Sequence, residues 1–156
     1  IYIKLLLNLK LKNNIFVHRD FHVSNLMKVN KNIGVIDAQD ALYGNMAYDL
    51  ASLIDDVRIK TTNKLKEKIF LEFIRSNKKV DKKKLKNDFE ILSVLRNLKI
   101  IGIFTRLSIR DKKHNYLKLI PHAWKLIEYR VNKNHKFKEL RSVLDKYFPK
   151  KIRQLK

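Results

Sequence analysis

One short segment carries residues whose types and spacing suit phosphoryl transfer. A His-x-Asp-x4-Asn pattern places His18, Asp20 and Asn25 in one loop, and Asp37 follows an apolar run shortly afterwards. During phosphoryl transfer, negative charge spreads over the transferred oxygens, so an enzyme mainly positions groups and supplies cations. Asp20 is the predicted catalytic base, which accepts the proton of the attacking hydroxyl. The amide oxygen of Asn25 and the carboxylate of Asp37 are the predicted ligands of Mg2+ ions that bridge the phosphates of ATP.

Two short apolar runs predict how these ligands reach one another. Residues 25–29 and 33–36 flank a polar turn, which is the pattern of a β-hairpin. Such a hairpin brings the Asn25 end of one strand beside the Asp37 end of the other. Upstream, the apolar run 15–17 is predicted to be buried and to anchor the catalytic loop.

The rest of the chain has apolar residues at helical spacing, so the predicted fold class is α+β and mainly α, with one small β-hairpin. Threonines at 61 and 62 can cap one helix, whose Ile69, Phe70 and Phe73 are expected to face inward, and Asp81 can open a long one. The predicted helices run over 1–11, 47–57, from the cap at 61–63 past Ile74, 81 to about 110, 121–130 and 137–148.

The charge balance raises nucleic acid as an alternative partner. There are 36 Lys and Arg against 15 Asp and Glu, a net charge of +21, which is typical of proteins that bind anionic polymers. The lysines are nevertheless scattered among apolar residues at helical spacing, as on solvated helix faces. Aromatic residues do not accompany them as a base-stacking platform requires. Nucleic acid is therefore not the expected partner.

Cysteine count and hydropathy narrow the class of protein further. The chain has no cysteine, which excludes disulfides and thiolate metal sites and is compatible with a reducing cytoplasm. No apolar run approaches the roughly 20 residues that span a bilayer. The expected localisation is cytoplasmic, without a membrane partner.

Three stretches give the chain a resemblance to a known family. It resembles the C-terminal lobe of the aminoglycoside phosphotransferase and choline kinase group, within the protein-kinase-like fold. More narrowly, it looks like the bacterial anomeric kinases that phosphorylate N-acetylmuramate and N-acetylglucosamine during cell-wall recycling. The first two stretches are shared across the group, and the third looks specific to the sugar-kinase branch. They cover residues 18–27, residues 34–53 and residues 96–106 with the continuation to Pro121.

The resemblance implies a role for each matching residue. Asp20 matches the catalytic base, and Asn25 and Asp37 match the magnesium ligands. Asp49 matches a buried aspartate that opens a helix and braces the catalytic loop through backbone hydrogen bonds. The implied cofactors are ATP and Mg2+, and the implied acceptor is the anomeric hydroxyl of an amino sugar.

Other residues near the motif are candidates for supporting or recognising roles. His18 is expected to hold the loop by hydrogen bonds, whereas Arg19 either steadies a carboxylate or lies in solvent. Candidate substrate contacts are His22, Gln39, Asp40 and Arg106, because hydroxyl and amide recognition is useful beside the catalytic groups. Each of three candidates also has a purely structural interpretation. Asp40 can be a turn residue, Gln39 can be an exposed side chain without a role, and Arg106 can form ion pairs with carboxylates on the helices.

Length limits what the chain contains. A kinase of this type needs an N-terminal lobe with a phosphate loop, yet the 156 residues hold three glycines and no glycine-rich motif. The chain is therefore expected to be the C-terminal catalytic lobe over residues 1–156, with its nucleotide-binding lobe absent. Two alternatives stay open: a kinase for another alcohol such as an aminoglycoside, a choline-like compound or homoserine, and a noncatalytic fragment that serves as a binding module.

Overall fold

The computed structural model describes residues 1–154 of the chain. Helices dominate this part of the chain, and the strands are short. In chain order the elements are α1 (Tyr2–Leu7), β1 (Ile15–Val17), β2 (Leu26–Val29), β3 (Asn32–Val35), β4 (Leu42–Gly44), α2 (Ala47–Ile54), α3 (Asn63–Ser76), α4 (Lys82–Asp111), α5 (Ile120–Val131), α6 (Lys138–Tyr147) and α7 (Lys150–Arg153). Short 3-10 helices cover Val23–Asn25, His114–Leu119 and His135–Phe137.

The strands form two antiparallel pairs, one of which was predicted. β2 and β3 make the expected hairpin, in which Leu26 lies opposite Val35. The second pair joins β1 to β4, with Phe16 opposite Tyr43. This second pair was not predicted, because β1 and β4 are distant in sequence and no turn signal links them.

The expectation that residues 15–17 are all buried was also wrong. Only Val17 is buried, at 1% exposure, whereas Ile15 is 42% and Phe16 is 63% exposed. Because a strand turns alternate side chains to opposite faces, Phe16 lies on the face opposite Val17, whereas Ile15 shares the face of Val17 and is only partly covered. Val17 alone anchors the segment that leads into the catalytic loop.

The chain divides into two compact units, and the division falls inside α4. One unit runs from Leu7 to Ser93 and contains both strand pairs, α2 and α3. The other joins Ile1–Leu6 to the chain from Val94 onward. All the predicted chemical residues of the motif, from His18 to Asp49, lie in the first unit.

The core of the first unit is built by α2 and the start of α4. These helices bury aliphatic side chains at helical spacing, including Leu50, Ile54, Leu85 and Leu92, and each such burial contributes about 1.5–3 kcal/mol. The inward face predicted for α3 packs against this cluster through partly buried residues. They are Ile69, Phe70, Phe73 and Ile74.

Two predicted helix starts are confirmed by their caps. The Thr62 hydroxyl accepts a hydrogen bond from the Leu65 amide at 3.2 Å. At α4, an Asp81 carboxylate oxygen accepts from the amides of Lys83 at 2.8 Å and Lys84 at 3.1 Å. These amide donors, that of Lys84 foremost, lower the pKa of the Asp81 carboxyl. Each cap satisfies amides that have no partner within their own helix.

The first helix is shorter than the predicted run over residues 1–11. α1 ends at Leu7, and the amides of Lys10 and Leu11 donate to the Asp88 carboxylate instead. A buried side chain distant in sequence has therefore taken the backbone donors that a longer helix needs. Sequence periodicity carries no information about such a competitor.

The second unit is built on the rest of α4 with α5, α6 and α7. Its buried residues include Leu95, Ile100 and Phe104 of α4, together with Trp124 of α5. The predicted last helix over 137–148 is observed as α6, and α7 follows it unpredicted. Arg153 of α7 is buried and ion-paired with Glu128 and Asp145. No helix within residues 1–154 is both long enough and apolar enough to cross a membrane.

Candidate active site

The segment after β1 folds into a tight turn around Asp20. The Asp20 carbonyl accepts the amide of His22 at 2.9 Å, and the His22 carbonyl accepts the amide of Asn25 at 2.9 Å. Arg19 has a φ of 71°, a left-handed conformation that is uncommon outside glycine and needs support from its surroundings. The turn holds Asp20 half-buried at the surface of the first unit.

That support comes from Asp49, in the first turn of α2. One carboxylate oxygen accepts the His18 amide at 2.7 Å, and the other accepts the Arg19 amide at 3.0 Å. A carboxylate bridging two consecutive amides fixes the local direction of the backbone as well as its position. These contacts are the ones expected of the loop brace that the resemblance assigns to Asp49.

His18 ties the same loop to the strand that leads to Asp37. Its ring is buried, and Nε2 lies 3.0 Å from the Ile36 carbonyl oxygen. Because a carbonyl only accepts, Nε2 carries the proton. Nδ1 is buried without a hydrogen-bond partner among residues 1–154. The ring also packs edge-on against Phe21, with 6.1 Å between centroids.

The two predicted metal ligands meet at the base of the hairpin. Asn25 Nδ2 lies 3.4 Å from Asp37 Oδ2 and donates to the Asp20 carbonyl at 3.0 Å. The Ile36 amide donates to the Asn25 carbonyl at 3.1 Å, which extends the β2–β3 pairing by one bond. Asp37 itself has a φ of 72° and is exposed, so its carboxylate projects where the strand ends.

The third predicted catalytic residue, Asp20, has a carboxylate without a partner among residues 1–154. Within the described residues it makes no hydrogen bond or ion pair through its side chain. Its backbone carbonyl, in contrast, is held by both His22 and Asn25. A fixed backbone with an available carboxylate is the arrangement that a general base requires.

Asn25 and Asp37 have the donor atoms that suit Mg2+. Nδ2 of Asn25 is occupied by Asp20 and Asp37, whereas Oδ1 accepts no hydrogen bond from residues 1–154. A free amide oxygen next to an exposed carboxylate fits a hard cation that keeps waters and phosphate oxygens as further ligands. No cluster of three or more His, Cys, Asp or Glu able to hold a metal occurs in the described chain.

The four candidate substrate contacts fall in different surroundings. His22 is buried beside Asp20, and Gln39 donates through Nε2 to Asp37 Oδ1 at 2.8 Å. Asp40 is exposed, and its carbonyl accepts from Arg19 Nη1 at 3.2 Å. Arg106 belongs to the second unit, where it lines a cavity of about 540 Å³ with Trp124 and Phe148 among others.

Asp56 is a contributor that sequence reasoning missed. It is 3% exposed and accepts the Val23 amide at 3.4 Å through Oδ2. Its other oxygen accepts the backbone amide and the guanidinium of Arg58 at 3.0 and 3.2 Å. Asp56 thus touches the start of the 3-10 turn that carries Asn25. An acidic residue near the end of the predicted helix over 47–57 was the available signal, but such residues more often face solvent.

Comparison with known proteins gives a matching family and several named relatives. Residues 2–76 match the model of the phosphotransferase enzyme family. The chain is 30% identical over 146 residues, 90% of its length, to the N-acetylmuramate/N-acetylglucosamine kinase of Caulobacter vibrioides. It is 37% identical over 113 residues (69% of the chain) to the protein of that name from Neisseria meningitidis, and 33% identical over 148 residues (83%) to that from Pseudomonas aeruginosa.

The chain spans only part of these relatives. The matched regions cover 40%, 34% and 40% of the three proteins respectively. Within that span, the family match includes both the catalytic-loop motif and the hairpin that ends at Asp37. The resemblance drawn from the motifs is confirmed, and the chain belongs to the phosphotransferase enzyme family.

Proposed function

We propose that this chain is the C-terminal catalytic lobe of an ATP-dependent kinase that phosphorylates the anomeric hydroxyl of an amino sugar in the cytoplasm. The observation that carries the proposal is the meeting of Asn25 and Asp37 at 3.4 Å, beside the unengaged carboxylate of Asp20. The three groups come from two separate segments and share one small region. Their donor atoms match the requirements of phosphoryl transfer.

Asp20 acts as the general base in this proposal. Its carboxylate takes the proton of the acceptor hydroxyl while the hydroxyl oxygen bonds to the γ-phosphorus of ATP. The bond from that phosphorus to the oxygen of ADP breaks on the opposite side, so the products are a phosphate ester and ADP. Asn25 keeps Asp20 oriented, because its amide donates to the Asp20 carbonyl at 3.0 Å.

Asn25 Oδ1 and the Asp37 carboxylate are the groups that would hold Mg2+. When bound, Mg2+ neutralises the negative charge of the phosphates. Gln39 donates to Asp37 Oδ1 at 2.8 Å and thereby limits the directions in which that carboxylate points. His18 links the two halves of the site through the Ile36 carbonyl.

The sugar acceptor is supported by the relatives, which carry the name N-acetylmuramate/N-acetylglucosamine kinase. His22, Gln39 and Asp40 lie in the sequence beside the catalytic groups and offer donors and acceptors suited to hydroxyl and amide groups. Arg106, the fourth residue predicted to contact the substrate, belongs to the second unit. The Asp40 side chain is exposed, and no described donor occupies its carboxylate.

Turnover by the protein expressed from its natural start is the test of this function. ADP formation is measured with N-acetylmuramate, N-acetylglucosamine, choline, homoserine and an aminoglycoside as acceptors. We expect turnover with the two sugars, and a product whose anomeric proton is coupled to phosphorus in the NMR spectrum. Turnover only with another alcohol would identify that alcohol as the acceptor in place of the amino sugar. Turnover with none of the five would contradict the proposed activity.

A further inference from the structure

One carboxylate outside the catalytic motif is fully buried. Asp88 of α4 is 0% exposed. Its oxygens accept from the backbone amides of Lys10 and Leu11 and from the side-chain amides of Asn45 and Asn87, at 2.8–3.1 Å. No cation among the described residues pairs with it. A carboxylate in such a place is stable only while its hydrogen bonds are made.

Asn45 is the donor that leads from Asp88 toward the catalytic loop. It is 5% exposed, and its Nδ2 donates to Asp88 Oδ2 at 2.8 Å. Its Oδ1 accepts the Ala47 amide at 3.0 Å, and its carbonyl accepts the Tyr48 amide at 2.9 Å. Both ends of the side chain are therefore fixed: the nitrogen by the carboxylate and the oxygen by the first turn of α2.

The first turn of α2 also carries Asp49, which holds the His18 and Arg19 amides. A continuous series of contacts thus runs from Asp88 through Asn45 and α2 to the residues before Asp20. The N-cap residue Met46 makes no side-chain capping bond, so Asn45 supplies that contact. Because Asp49 bridges two consecutive amides, a small shift of the helix start moves the loop with it.

We propose that Asn45 and Asp88 are positioning residues for phosphoryl transfer, acting through α2 and Asp49 on the placement of Asp20. This inference rests on the proposed function, because it assigns the placement of Asp20 a catalytic consequence. Misplacement of a reacting group by about 1 Å can cost on the order of 10²-fold in rate. The expected signature is a loss in kcat with little change in KM.

Asn45→Asp disrupts the contact between residue 45 and Asp88 while it keeps the cap of α2. An aspartate still accepts the Ala47 amide and caps helices as well as asparagine, but it places a second carboxylate against Asp88. We expect kcat to fall roughly 10- to 100-fold, with KM for ATP and acceptor nearly unchanged. In the double variant Asn45→Asp/Asp88→Asn, the amide at 88 donates to the carboxylate at 45. Because the Leu11 amide donates to the same oxygen of Asp88 and loses that acceptor, the lost kcat should return only in part.

Leu92→Ala is the matched control, because Leu92 is buried in the same core and its aliphatic side chain forms no hydrogen bond. It should lower the melting temperature at least as much as Asn45→Asp while retaining kcat at temperatures well below both transitions. An equal loss of kcat in Leu92→Ala would overturn the inference. So would a double variant no more active than Asn45→Asp alone.

Hydrogen–deuterium exchange of the peptide covering residues 17–25 provides a readout independent of activity. In the full-length protein, Asn45→Asp should speed exchange in this peptide, and Asp88→Asn added to it should slow exchange again. Leu92→Ala should leave it unchanged under native conditions. Unaltered exchange in Asn45→Asp overturns the positioning role, whereas absence of kinase activity in the unaltered protein overturns the proposed function and, with it, the catalytic consequence of this contact.

Discussion

Asp20→Asn is expected to lower kcat by about 10²- to 10⁴-fold, the usual contribution of a general base. The change is isosteric, and the Asp20 backbone keeps its hydrogen bonds to His22 and Asn25. Only the capacity to take a proton is lost, so KM for ATP should stay close to that of the unaltered protein. Steady-state ADP formation with N-acetylmuramate, in protein expressed from its natural start, measures both constants.

Glu72→Gln is the matched control for that substitution. Its carboxylate is 62% exposed on α3 and pairs with Arg75 at 3.2 Å, an exposed ion pair whose loss costs at most about 1 kcal/mol. It removes one negative charge from the same unit without touching the motif. A kcat in Asp20→Asn equal to that of Glu72→Gln would exclude Asp20 as the base.

Asp49→Ala is expected to lower the free energy of unfolding of the catalytic unit by about 2–4 kcal/mol, since it leaves two amides without their charged acceptor. Asp49→Asn should cost less, because one oxygen remains to accept from either His18 or Arg19. Both variants should also lose activity, since the positive φ of Arg19 is no longer supported. Urea unfolding measures the loss of stability, and steady-state kinetics measure the loss of activity.

Ser52→Ala on the same helix distinguishes a specific effect from general sensitivity of α2. Ser52 is 0% exposed, and its hydroxyl has no hydrogen-bond partner within residues 1–154. Removing it should leave stability unchanged or slightly raised. If Asp49→Ala unfolds at the same urea concentration as Ser52→Ala, the brace contributes nothing measurable to the fold.

Local signals account for the features that sequence reasoning predicted correctly. The Thr62 and Asp81 caps act within three residues of themselves, and the β2–β3 hairpin closes around a short polar turn. The same hairpin brings Asn25 to Asp37, so the meeting of the predicted metal ligands follows from contacts between neighbours in sequence. The family resemblance added Asp49, whose role no periodicity indicates.

Non-local contacts account for the features that were missed. The β1–β4 pair joins Phe16 to Tyr43 without a connecting turn signal, and α1 ends early because Asp88 accepts the amides of Lys10 and Leu11. Asp56 and Asp88 look like ordinary polar positions in the sequence. Their importance comes from burial and from partners more than thirty residues away, which a single sequence does not reveal.

Binding of Mn2+ with a non-hydrolysable ATP analogue, followed by electron paramagnetic resonance, tests most directly the division of roles between Asp37 and Asp20. The full-length protein should bind the metal–nucleotide complex, with phosphorus hyperfine coupling to the bound ion. Asp37→Asn should weaken that binding severely, whereas Asp20→Asn should retain it while lacking turnover. Retention of the Mn2+ signal in Asp37→Asn, or its loss in Asp20→Asn alone, would contradict the assignment of metal ligand and base.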